Sequence, residues 1–345
     1  MARMYREKHN MKIRKPIIVL FGILWVSLLA AAPSAAADGK FKIVVIPDTQ
    51  NESQYNPSMF TAQTQWIVNN KSDIAFVAHV GDVVNTCTNS IQYGNADAAM
   101  DLLDSGNVPY GVSPGNHDQC GSSSLYPTYF GTSRFSGKSY YGGGLDDYNQ
   151  YFFFSFGGMD FIIIFLQYYP GTIQLNWAND LLSSNPDHRG IVVSHAILNI
   201  NNSWNYQTVY TNLSGNPNLF LMLCGHMHSP TDGEALRSET RANMNPVHII
   251  LSDFQDFSYG DGWLRILEFD PYADLISVIT YSPYTDTYRT GSDSQYSLSY
   301  NMPALYGDFA FDCDVDGKDL ASLIANPSLA DLTAFAGNFG QNVCP

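Results

Sequence analysis

Residues 41–50 of this 345-residue chain have the sequence FKIVVIPDTQ. The mostly apolar run at 41–46 ends at a proline, which is followed by an aspartate and two further polar residues. A near-continuous apolar run of this length predicts a β-strand that is buried on both faces. Residues 74–85, IAFVAHVGDVVN, repeat the arrangement with an apolar run at 74–80 that is followed by Gly81 and Asp82. Both stretches therefore predict buried strands with carboxylates at their carboxyl ends.

The rest of the chain extends this pattern. Four further apolar runs predict buried strands at 110–112, 161–166, 191–193 and 219–223. Helical patterns lie between several of the strands, at 58–70, 95–103 and 172–182, the last with Thr172 as its predicted N-cap. Strands that alternate with helices predict a layered α/β domain.

Two later regions have a different character. Runs at 247–251, 263–269 and 275–281 follow one another through short turns and predict a strand-rich closing segment. Residues 121–150 are rich in Gly, Ser and Tyr and have no periodicity, so they predict a long loop of functional or mobile character.

Side chains of the kinds that bind metal ions follow five of the predicted strands. They are Asp48 and Gln50; Asp82 and Asn85; Asn116, His117 and Asp118; His195; and His226 and His228. One such residue after a strand is more often a turn or capping residue, but five strand ends in this order are hard to attribute to chance. Sites in open α/β sheets form at the carboxyl ends of strands, so these residues predict one metal centre.

The ordered blocks D-x-Q, G-D-x-x-N, G-N-H-D, H and G-H-x-H, spread over about residues 40–300, resemble the calcineurin-like metallophosphoesterase superfamily. The resemblance implies a four-layer α/β/β/α sandwich, in which two sheets pack face to face between helices, and a centre of two divalent cations. It implies that one cation is bound by Asp48, Gln50, Asp82 and His228. The other would be bound by Asn116, His195 and His226, with Asp82 as the bridge.

The implied chemistry is hydrolysis of a phosphate ester. Two cations about 3.5–4 Å apart neutralise the ester, hold it in line and acidify a bridging water. His117, which is not a ligand in the family, is then placed to give a proton or hydrogen bond to the leaving or non-bridging oxygen. Carboxylate, amide and imidazole ligands suit Mn, Fe or Zn more than Ca.

Two positions depart from the usual family pattern. The family usually has His where this chain has Gln50, and an amide oxygen there favours Mn²⁺ at the first cation position. Superfamily branches with Gln at this place include manganese-dependent hydrolases of ADP-ribose and CDP-alcohols. Asn85 stands where some members carry an Asp that pairs with the catalytic His, which leaves the tuning of His117 open.

Other polar residues receive structural predictions. His79 lies inside a predicted strand and is expected to be a core residue or a support for the centre. For Asp253 and Gln255, after run 247–251, a turn role is favoured over a place at the rim of the site. Arg134 is expected to form a salt bridge, with contact to a substrate phosphate as the alternative. No partner is evident from the sequence for His188 and His248.

The first 37 residues have the layout of a secretory signal peptide. Six basic residues precede the apolar run 17–32, and Ala35, Ala36 and Ala37 supply a cleavage signal. A retained anchor is the alternative, although about 16 residues are short for a membrane span of roughly 20. We therefore expect a secreted or periplasmic protein with no membrane span after signal removal.

Charge excludes one class of partner. The whole chain has 17 basic and 32 acidic residues, and removal of residues 1–37 would leave 11 and 31. Sequence-independent nucleic-acid binding uses Lys and Arg to neutralise phosphates, so we do not expect it here.

The five cysteines of an exported chain allow two disulfides and one free thiol. Cys87 and Cys120 each follow a ligand block and are expected to pair. Cys313 and Cys344 bracket the C-terminal tail and are expected to form a second bridge that staples it. Cys224, inside an apolar run, is expected to be a buried thiol.

The acidic tail resembles a dockerin-like EF-hand segment. Five carboxylates have the spacing of a twelve-residue Ca²⁺ loop, although Ala310 and Cys313 depart from it: Asp308, Asp312, Asp314, Asp316 and Asp319. Helical patterns follow at 319–324 and 331–339. The resemblance implies Ca²⁺ binding and attachment to a cohesin-like or surface partner, with a solvated acidic tail as the alternative.

The predicted organisation is a signal peptide at 1–37, a metallophosphoesterase domain at 38–300, a linker at 301–306 and the tail at 307–345. The main hypothesis is an exported dinuclear-metal hydrolase of phosphate mono- or diesters. The alternative is a catalytically silent fold that serves as a calcium-dependent binding module. No base, sugar or lipid motif identifies the substrate.

Overall fold

Two β-sheets of seven strands each form the centre of the described domain. They are seen in a computed structural model that describes residues 40–242, 244–271, 273–302, 315–325 and 332–340. The strands of these ranges are β1 (Phe41–Ile46), β2 (Ile74–His79), β3 (Tyr110–Val112), β4 (Tyr141–Asp146), β5 (Asn149–Phe156), β6 (Met159–Leu166), β7 (Arg189–Ser194), β8 (Leu219–Cys224), β9 (Glu234–Arg241), β10 (Met244–Ser252), β11 (Leu264–Asp270), β12 (Leu275–Ser282), β13 (Thr287–Arg289) and β14 (Tyr296–Ser299). The helices are α1 (Gln50–Tyr55), α2 (Pro57–Asn69), α3 (Ser90–Gly106), α4 (Tyr126–Phe130), α5 (Thr132–Phe135), α6 (Thr172–Ser184), α7 (Thr208–Leu213), α8 (Gly317–Ala325) and α9 (Leu332–Asn338).

Parallel strands at the middle of each sheet place their carboxyl ends together. The first sheet has the order β13-β12-β11-β1-β2-β3, with β14 beside β12, and β1, β2 and β3 are parallel. The second has the order β4-β5-β6-β7-β8-β10-β9, in which β6, β7, β8 and β10 are parallel. The segments that follow the parallel strands therefore meet along one edge of each sheet.

The inner faces of the two sheets share one apolar core. The ring centroid of Phe41 on β1 is 5.9 Å from that of Phe161 on β6, and the rings of Phe76 on β2 and Phe154 on β5 are 4.9 Å apart. Full burial of one such side chain contributes about 1.5–3 kcal/mol, so these contacts fix how the two sheets face each other.

Helices cover the outer faces. α2 lies against the first sheet, where the ring of Phe60 is 5.8 Å from the ring of His79 on β2. α6 and α7 pack on the second sheet, and Leu175 and Leu213 share a core cluster with the β6 residue Ile164. The order of layers is helix, sheet, sheet, helix. No helix among the described residues is both long and apolar enough to cross a membrane.

A buried ion-pair network links the two sheets. Arg265 on β11 is fully buried, and its Nη2 lies 3.0 Å from Oε1 of Glu234 on β9. Arg289 Nε lies 3.0 Å from Glu234 Oε2, and the Ser294 and Thr280 hydroxyls donate to the same carboxylate. Burial alone would raise the pKa of Glu234, but Arg265 and the other donors hold it below its ordinary value of 4.5.

The predicted loop at 121–150 is wrong, because this stretch contains α4, α5 and β4 and leads into β5. β4 has the sequence YGGGLD, which has no apolar alternation, so the pattern of a strand is missing. A Cβ at Gly142 would lie 2.3 Å from the Tyr151 ring on β5, so glycine lets the two strands approach.

One smaller prediction also needs correction. Gly171 is the N-cap of α6, and Thr172 is its first helical residue. In the predicted linker at 301–306, Met302 is buried and its N–H donates to Asp274 Oδ1 at 2.7 Å, and residues 303–306 lie outside the described residues. β9, β13, β14, α1 and α7 were not predicted, since they are short or lack continuous apolar runs.

The described part of the tail contains α8 and α9, with Val315, Leu323 and Phe335 in a small apolar cluster. Lys318 N–H donates to Asp316 Oδ1 and Asp316 N–H donates to Asp319 Oδ2, both at 2.7 Å. The two bonds form a variant of the capping box at the start of α8, in which the Asp316 side chain accepts from the second helical N–H instead of the third. The signal peptide, the predicted Cys313–Cys344 bridge and three predicted calcium ligands, Asp308, Asp312 and Asp314, lie outside the described residues.

Candidate metal centre

Three ligand-type side chains from different strand ends meet at one point. The candidate ligand atoms of Asp82, His195 and His226 all lie within 4.8 Å of one another. His195 Nε2 is 3.1 Å from Asp82 Oδ2 and 3.9 Å from Asp48 Oδ2. Because these residues follow β1, β2, β7 and β8, the carboxyl edges of both sheets meet at this cluster.

Special backbone conformations aim these side chains inward. Asp82 (φ +49°) and His226 (φ +74°) lie in the left-handed region, which costs a non-glycine residue about 1–3 kcal/mol. Neighbouring glycines leave room for the carboxylates. A Cβ at Gly115 would lie 2.0 Å from Asp82 Oδ1, and one at Gly225 would lie 2.0 Å from Asp48 Oδ1. The glycines of the G-N-H-D and G-H-x-H blocks are thus needed for the close approach of the chain to these oxygens.

Hydrogen bonds fix the orientation of the same groups. His195 Nδ1 donates to the Val80 carbonyl at 3.0 Å, which leaves Nε2 facing Asp82. The His226 backbone N–H donates to Asp48 Oδ2 at 3.1 Å. Supports of this kind hold metal ligands in place in other proteins.

Several buried polar atoms of the cluster have no hydrogen-bond partner. Among the described residues they include Asp48 Oδ1, Gln50 Oε1, Asn116 Oδ1, His195 Nε2 and Asp253 Oδ2. An orphaned buried acceptor is costly, and a concentration of them needs an explanation such as an ion. The oxygens and the imidazole nitrogen are donors that divalent transition metals accept, so the residues present fit a metal centre.

The charges of the buried carboxylates and imidazoles also fit a metal centre. Burial, then the neighbouring carboxylates of Asp253 and Asp82, raises the pKa of Asp48 well above its ordinary value. Burial works in the same direction at Asp82, but the adjacent imidazoles outweigh it and lower the pKa of Asp82. Burial, followed by the nearby His195, lowers the pKa of His226 to about 4. Within the described ranges, no Lys or Arg forms an ion pair with these carboxylates.

Gln50 and His228 are the two candidate ligands that the sequence predicts for the first cation besides Asp48 and Asp82. Gln50 is buried, and its Nε2 donates to Gln255 Oε1, so its own Oε1 remains available. His228 is partly exposed, and its Nδ1 lies 2.8 Å from Asp256 Oδ2. His228 is not part of the three-residue cluster of Asp82, His195 and His226.

His117 is placed beside the cluster with one ring nitrogen fixed. Its backbone N–H donates to Asp82 Oδ1 at 2.8 Å, and its Nδ1 donates to the Asn85 carbonyl at 2.7 Å. The Asn85 side chain instead donates to Gln54 Oε1. The sequence left open whether Asn85 contacts the catalytic histidine as an Asp does in some family members. The structure shows that Asn85 contacts His117 through its backbone carbonyl, so that Nε2 of His117 remains free.

Two supports of the centre were underrated from the sequence. Asp118 is fully buried and accepts hydrogen bonds from the backbone N–H groups of Gly115, Val83 and Val84. Its burial, followed by the nearby carboxylate of Asp82, raises the pKa of Asp118 to about 7. Asp253 accepts a hydrogen bond from the Gln255 N–H, which is the turn role predicted for it. Its carboxylate also lies near that of Asp48. The signal that could have found Asp253 is its place just after β10, at the same edge as the other ligands.

The remaining candidates have structural roles. His79 is fully buried between the Gly81 N–H and the Thr49 hydroxyl, and burial followed by His195 lowers its pKa to about 3. Arg134 forms ion pairs with Asp97, Asp101 and Asp104 on α3, so contact with a substrate phosphate, the alternative considered for it, is not what the structure shows. His188 contacts the ring of Phe153, and His248 contacts Ser238 and Ser299.

A disulfide joins Cys87 and Cys120, the two cysteines expected to pair, and so ties the loop after β2 to the loop after β3. The loops that it joins carry Asn85 and His117. Cys224 is a buried free thiol, as predicted.

Residues 41–230 match the family model described as calcineurin-like phosphoesterase. The chain belongs to the calcineurin-like phosphoesterase family. This makes the domain a metal-dependent phosphoesterase domain.

Individual relatives are more distant. The phosphoesterase is 33% identical over 292 residues to the uncharacterised protein YvnB of Bacillus subtilis (strain 168). That alignment covers 77% of this chain and 22% of the relative, so the chain spans about a fifth of the relative's length. A dimetal phosphatase from Danio rerio has a similar fold, with 14% identity, a TM-score of 0.50 and coverage of 76% of this chain and 99% of that one. For the purple acid phosphatase PPD1 of yellow lupin (Lupinus luteus), identity is 12%, the TM-score is 0.49, and coverage is 79% of this chain and 55% of that one.

Proposed function

We propose that this protein hydrolyses phosphate mono- or diesters at a centre of two divalent cations, with Mn²⁺ favoured. The observation that carries the proposal is the convergence of buried, unpartnered acceptor atoms from both sheets, described above. A satisfied structural network would leave few such atoms, whereas a cation centre would use those that belong to the proposed ligands.

The proposed ligands are those that the family resemblance implies, and four of them carry an unpartnered buried atom: Asp48, Gln50, Asn116 and His195. Asp48, Gln50, Asp82 and His228 would hold one cation, and Asn116, His195 and His226 the other, with Asp82 between them. Divalent cations at such a centre neutralise phosphoryl oxygens and lower the pKa of water. Gln50 supports Mn²⁺ at the first position, because its free atom is an amide oxygen rather than an imidazole nitrogen.

His117 would assist the leaving group. The Asn85 carbonyl fixes its Nδ1 as a donor, and the link from its backbone to Asp82 holds the residue beside the centre. The free Nε2 would hold a proton near the ester and transfer it to the departing oxygen.

Alanine at Asp82 or His226 tests the proposal. Each variant should lose bound metal and hydrolysis of 4-nitrophenyl phosphate and bis(4-nitrophenyl) phosphate in Mn²⁺. His188→Ala is the matched control, because this histidine precedes β7 and contacts Phe153 instead of the cluster. Unchanged turnover in both test variants would exclude the proposed centre. A wild-type protein without transition metal or turnover would favour the silent binding module.

We propose separately that the protein is exported. The composition of residues 1–37 supports a signal peptide, and the Cys87–Cys120 disulfide supports an oxidising compartment outside the cytoplasm. N-terminal sequencing of the mature protein should begin near Asp38, and a start at Met1 or Met11 would exclude cleavage.

We also propose that the tail binds Ca²⁺ through Asp308, Asp312, Asp314, Asp316 and Asp319 and attaches to a cohesin-like or surface partner. The spacing of these carboxylates supports it, and the capping box places the last two at the start of α8. Calorimetric titration of the whole chain with Ca²⁺ should show a site that Asp312→Ala removes. Equal heats for the two chains would favour a solvated tail.

A further inference from the structure

Three tyrosines border the candidate centre on its His226 side. Tyr168 and Tyr169 follow β6, and Tyr206 precedes α7; together they are called the tyrosine wall. The Tyr168 ring centroid is 5.2 Å from that of His226, and its hydroxyl is 3.5 Å from His226 Nε2. The Tyr169 ring is 4.1 Å from Tyr168 and 4.7 Å from Tyr206. The wall is therefore continuous with the cluster of candidate ligands.

Tyr169 has a backbone conformation that its side chain does not favour. Its φ is +46°, in the left-handed region that bulky residues seldom adopt. Its hydroxyl donates to Asn205 Oδ1 at 2.9 Å, and the Tyr206 hydroxyl donates to the Pro170 carbonyl at 3.2 Å. These bonds hold the ring in place on both sides of the turn. Strained conformations of this kind concentrate at functional sites.

Burial in the core does not account for a tyrosine at this position. Tyr169 remains 42% exposed although its ring contacts Tyr168 and Tyr206, so part of its side chain is open to solvent. Glycine would adopt the same backbone without strain and would make the turn equally well. The ring itself is therefore the feature that needs an explanation.

The protein's own cations, among the residues that the structure describes, leave the three rings of the wall unused. None of the cation–π contacts found in the described ranges involves its three rings. Tyrosine rings stack on flat aromatic groups with little loss of side-chain freedom. The Tyr169 ring lies at most about 9 Å from the His226 ring, the sum of the two centroid distances through Tyr168. A substrate with its phosphate at the centre and a ring one linker away would span this distance.

We propose that the tyrosine wall is a stacking subsite for a flat aromatic group, such as a nucleobase, carried by the phosphate ester. This inference rests on the proposed hydrolysis at the centre. Tyr169 supplies the exposed part of the wall, and Tyr168 and Tyr206 hold it in position. Tyr169 is thus a specificity residue for the part of the substrate that does not react.

Two substrates that differ only in the base test the subsite. Adenosine 5′-monophosphate and ribose 5-phosphate share the reacting ester, and adenine is used as a flat base of two fused rings. The wild type should prefer the nucleotide in kcat/KM. Tyr169→Ala should lower kcat/KM for the nucleotide by about 5-fold or more, mainly through KM, since stacking lost on alanine substitution has this size. Turnover of ribose 5-phosphate should change less than about twofold.

Three further variants separate stacking from folding. Tyr169→Phe keeps the ring and should behave like the wild type. Tyr169→Gly removes the ring and relieves the backbone, so it should fold and repeat the alanine result. Tyr288→Ala removes a tyrosine that is 59% exposed on the edge strand β13, three strands from β1, and should leave the preference unchanged.

A second readout needs no turnover. Saturation-transfer NMR with adenosine should show contact at the adenine protons for the wild type and Tyr169→Phe, and lose it for Tyr169→Ala and Tyr169→Gly. Equal effects of Tyr169→Ala on both substrates, or adenosine contact that survives loss of the ring, would overturn the subsite. If the wild type hydrolyses no ester, the proposed function fails, and the adenosine experiment still decides the subsite.

Discussion

Gly115→Ala perturbs the centre through a single added methyl group. Its Cβ would lie 2.0 Å from Asp82 Oδ1 and 2.5 Å from the Asp82 backbone nitrogen. Ordinary contact begins at 3.4 Å, so the carboxylate must retreat by about 1.4 Å. A side-chain rotation alone is not enough, because the backbone nitrogen is also too close.

The expected cost follows from that displacement. A misplacement of about 1 Å in a catalytic constellation lowers the rate about 100-fold, so kcat/KM should fall by at least about this factor. Overpacking should lower the free energy of unfolding by about 1–3 kcal/mol, which leaves the protein folded at 25 °C. Bound metal, measured by mass spectrometry after gel filtration, should fall together with the turnover of 4-nitrophenyl phosphate.

Gly94→Ala is the matched control. Gly94 lies inside α3, and a Cβ there would meet nothing within 4 Å. Its replacement should raise the free energy of unfolding by about 0.5–1 kcal/mol without affecting metal content. If Gly115→Ala kept full metal content and activity within about twofold of the wild type, the close approach of this backbone to Asp82 would not be a requirement of the centre.

Three further outcomes are expected. Because the folded-state pKa of Glu234 lies below its ordinary 4.5, the stabilisation by its ion pairs is present above pH 4.5 and is lost as pH falls below it. Glu234→Gln, which leaves Arg265 buried and unpaired, should therefore cost about 3–5 kcal/mol in urea unfolding at pH 7 and progressively less towards pH 3; a cost that does not vary with pH would contradict this. The double replacement Cys87→Ser with Cys120→Ser, which opens a bridge across 33 residues, should cost about 3–4 kcal/mol and make the melting temperature insensitive to dithiothreitol, whereas the wild type should lose stability in dithiothreitol. His117→Ala should lower kcat by about 10²–10⁴-fold with metal content unchanged, and a loss of metal instead would make this residue a ligand or a structural support.

The strands that carry the centre were the easiest elements to predict. β1 and β3 have the predicted bounds, and β2 ends one residue earlier than expected, because strands buried on both faces have continuous apolar sequences. The candidate ligands after them could be predicted for the same reason, since the carboxyl ends of parallel strands meet at one edge.

Elements without an apolar period were harder to predict. β4 is glycine-rich, and the sequence does not show that Tyr151 packs against it. Contacts made by backbone atoms were also hidden, such as the Asn85 carbonyl that binds His117. The salt bridge expected for Arg134 is confirmed, but its three partners could not be named from the sequence, because they lie on α3, about thirty residues away along the chain.

Titration of the metal-free protein with Mn²⁺, followed by calorimetry and by turnover of 4-nitrophenyl phosphate in parallel, tests the central claim most directly. The account predicts two Mn²⁺ ions bound per chain at the centre, turnover that rises with their occupancy, and loss of both in Asp82→Asn, because this carboxylate lies between the two sets of ligands. Turnover by the metal-free protein, or Mn²⁺ binding that is unchanged in Asp82→Asn, would contradict it.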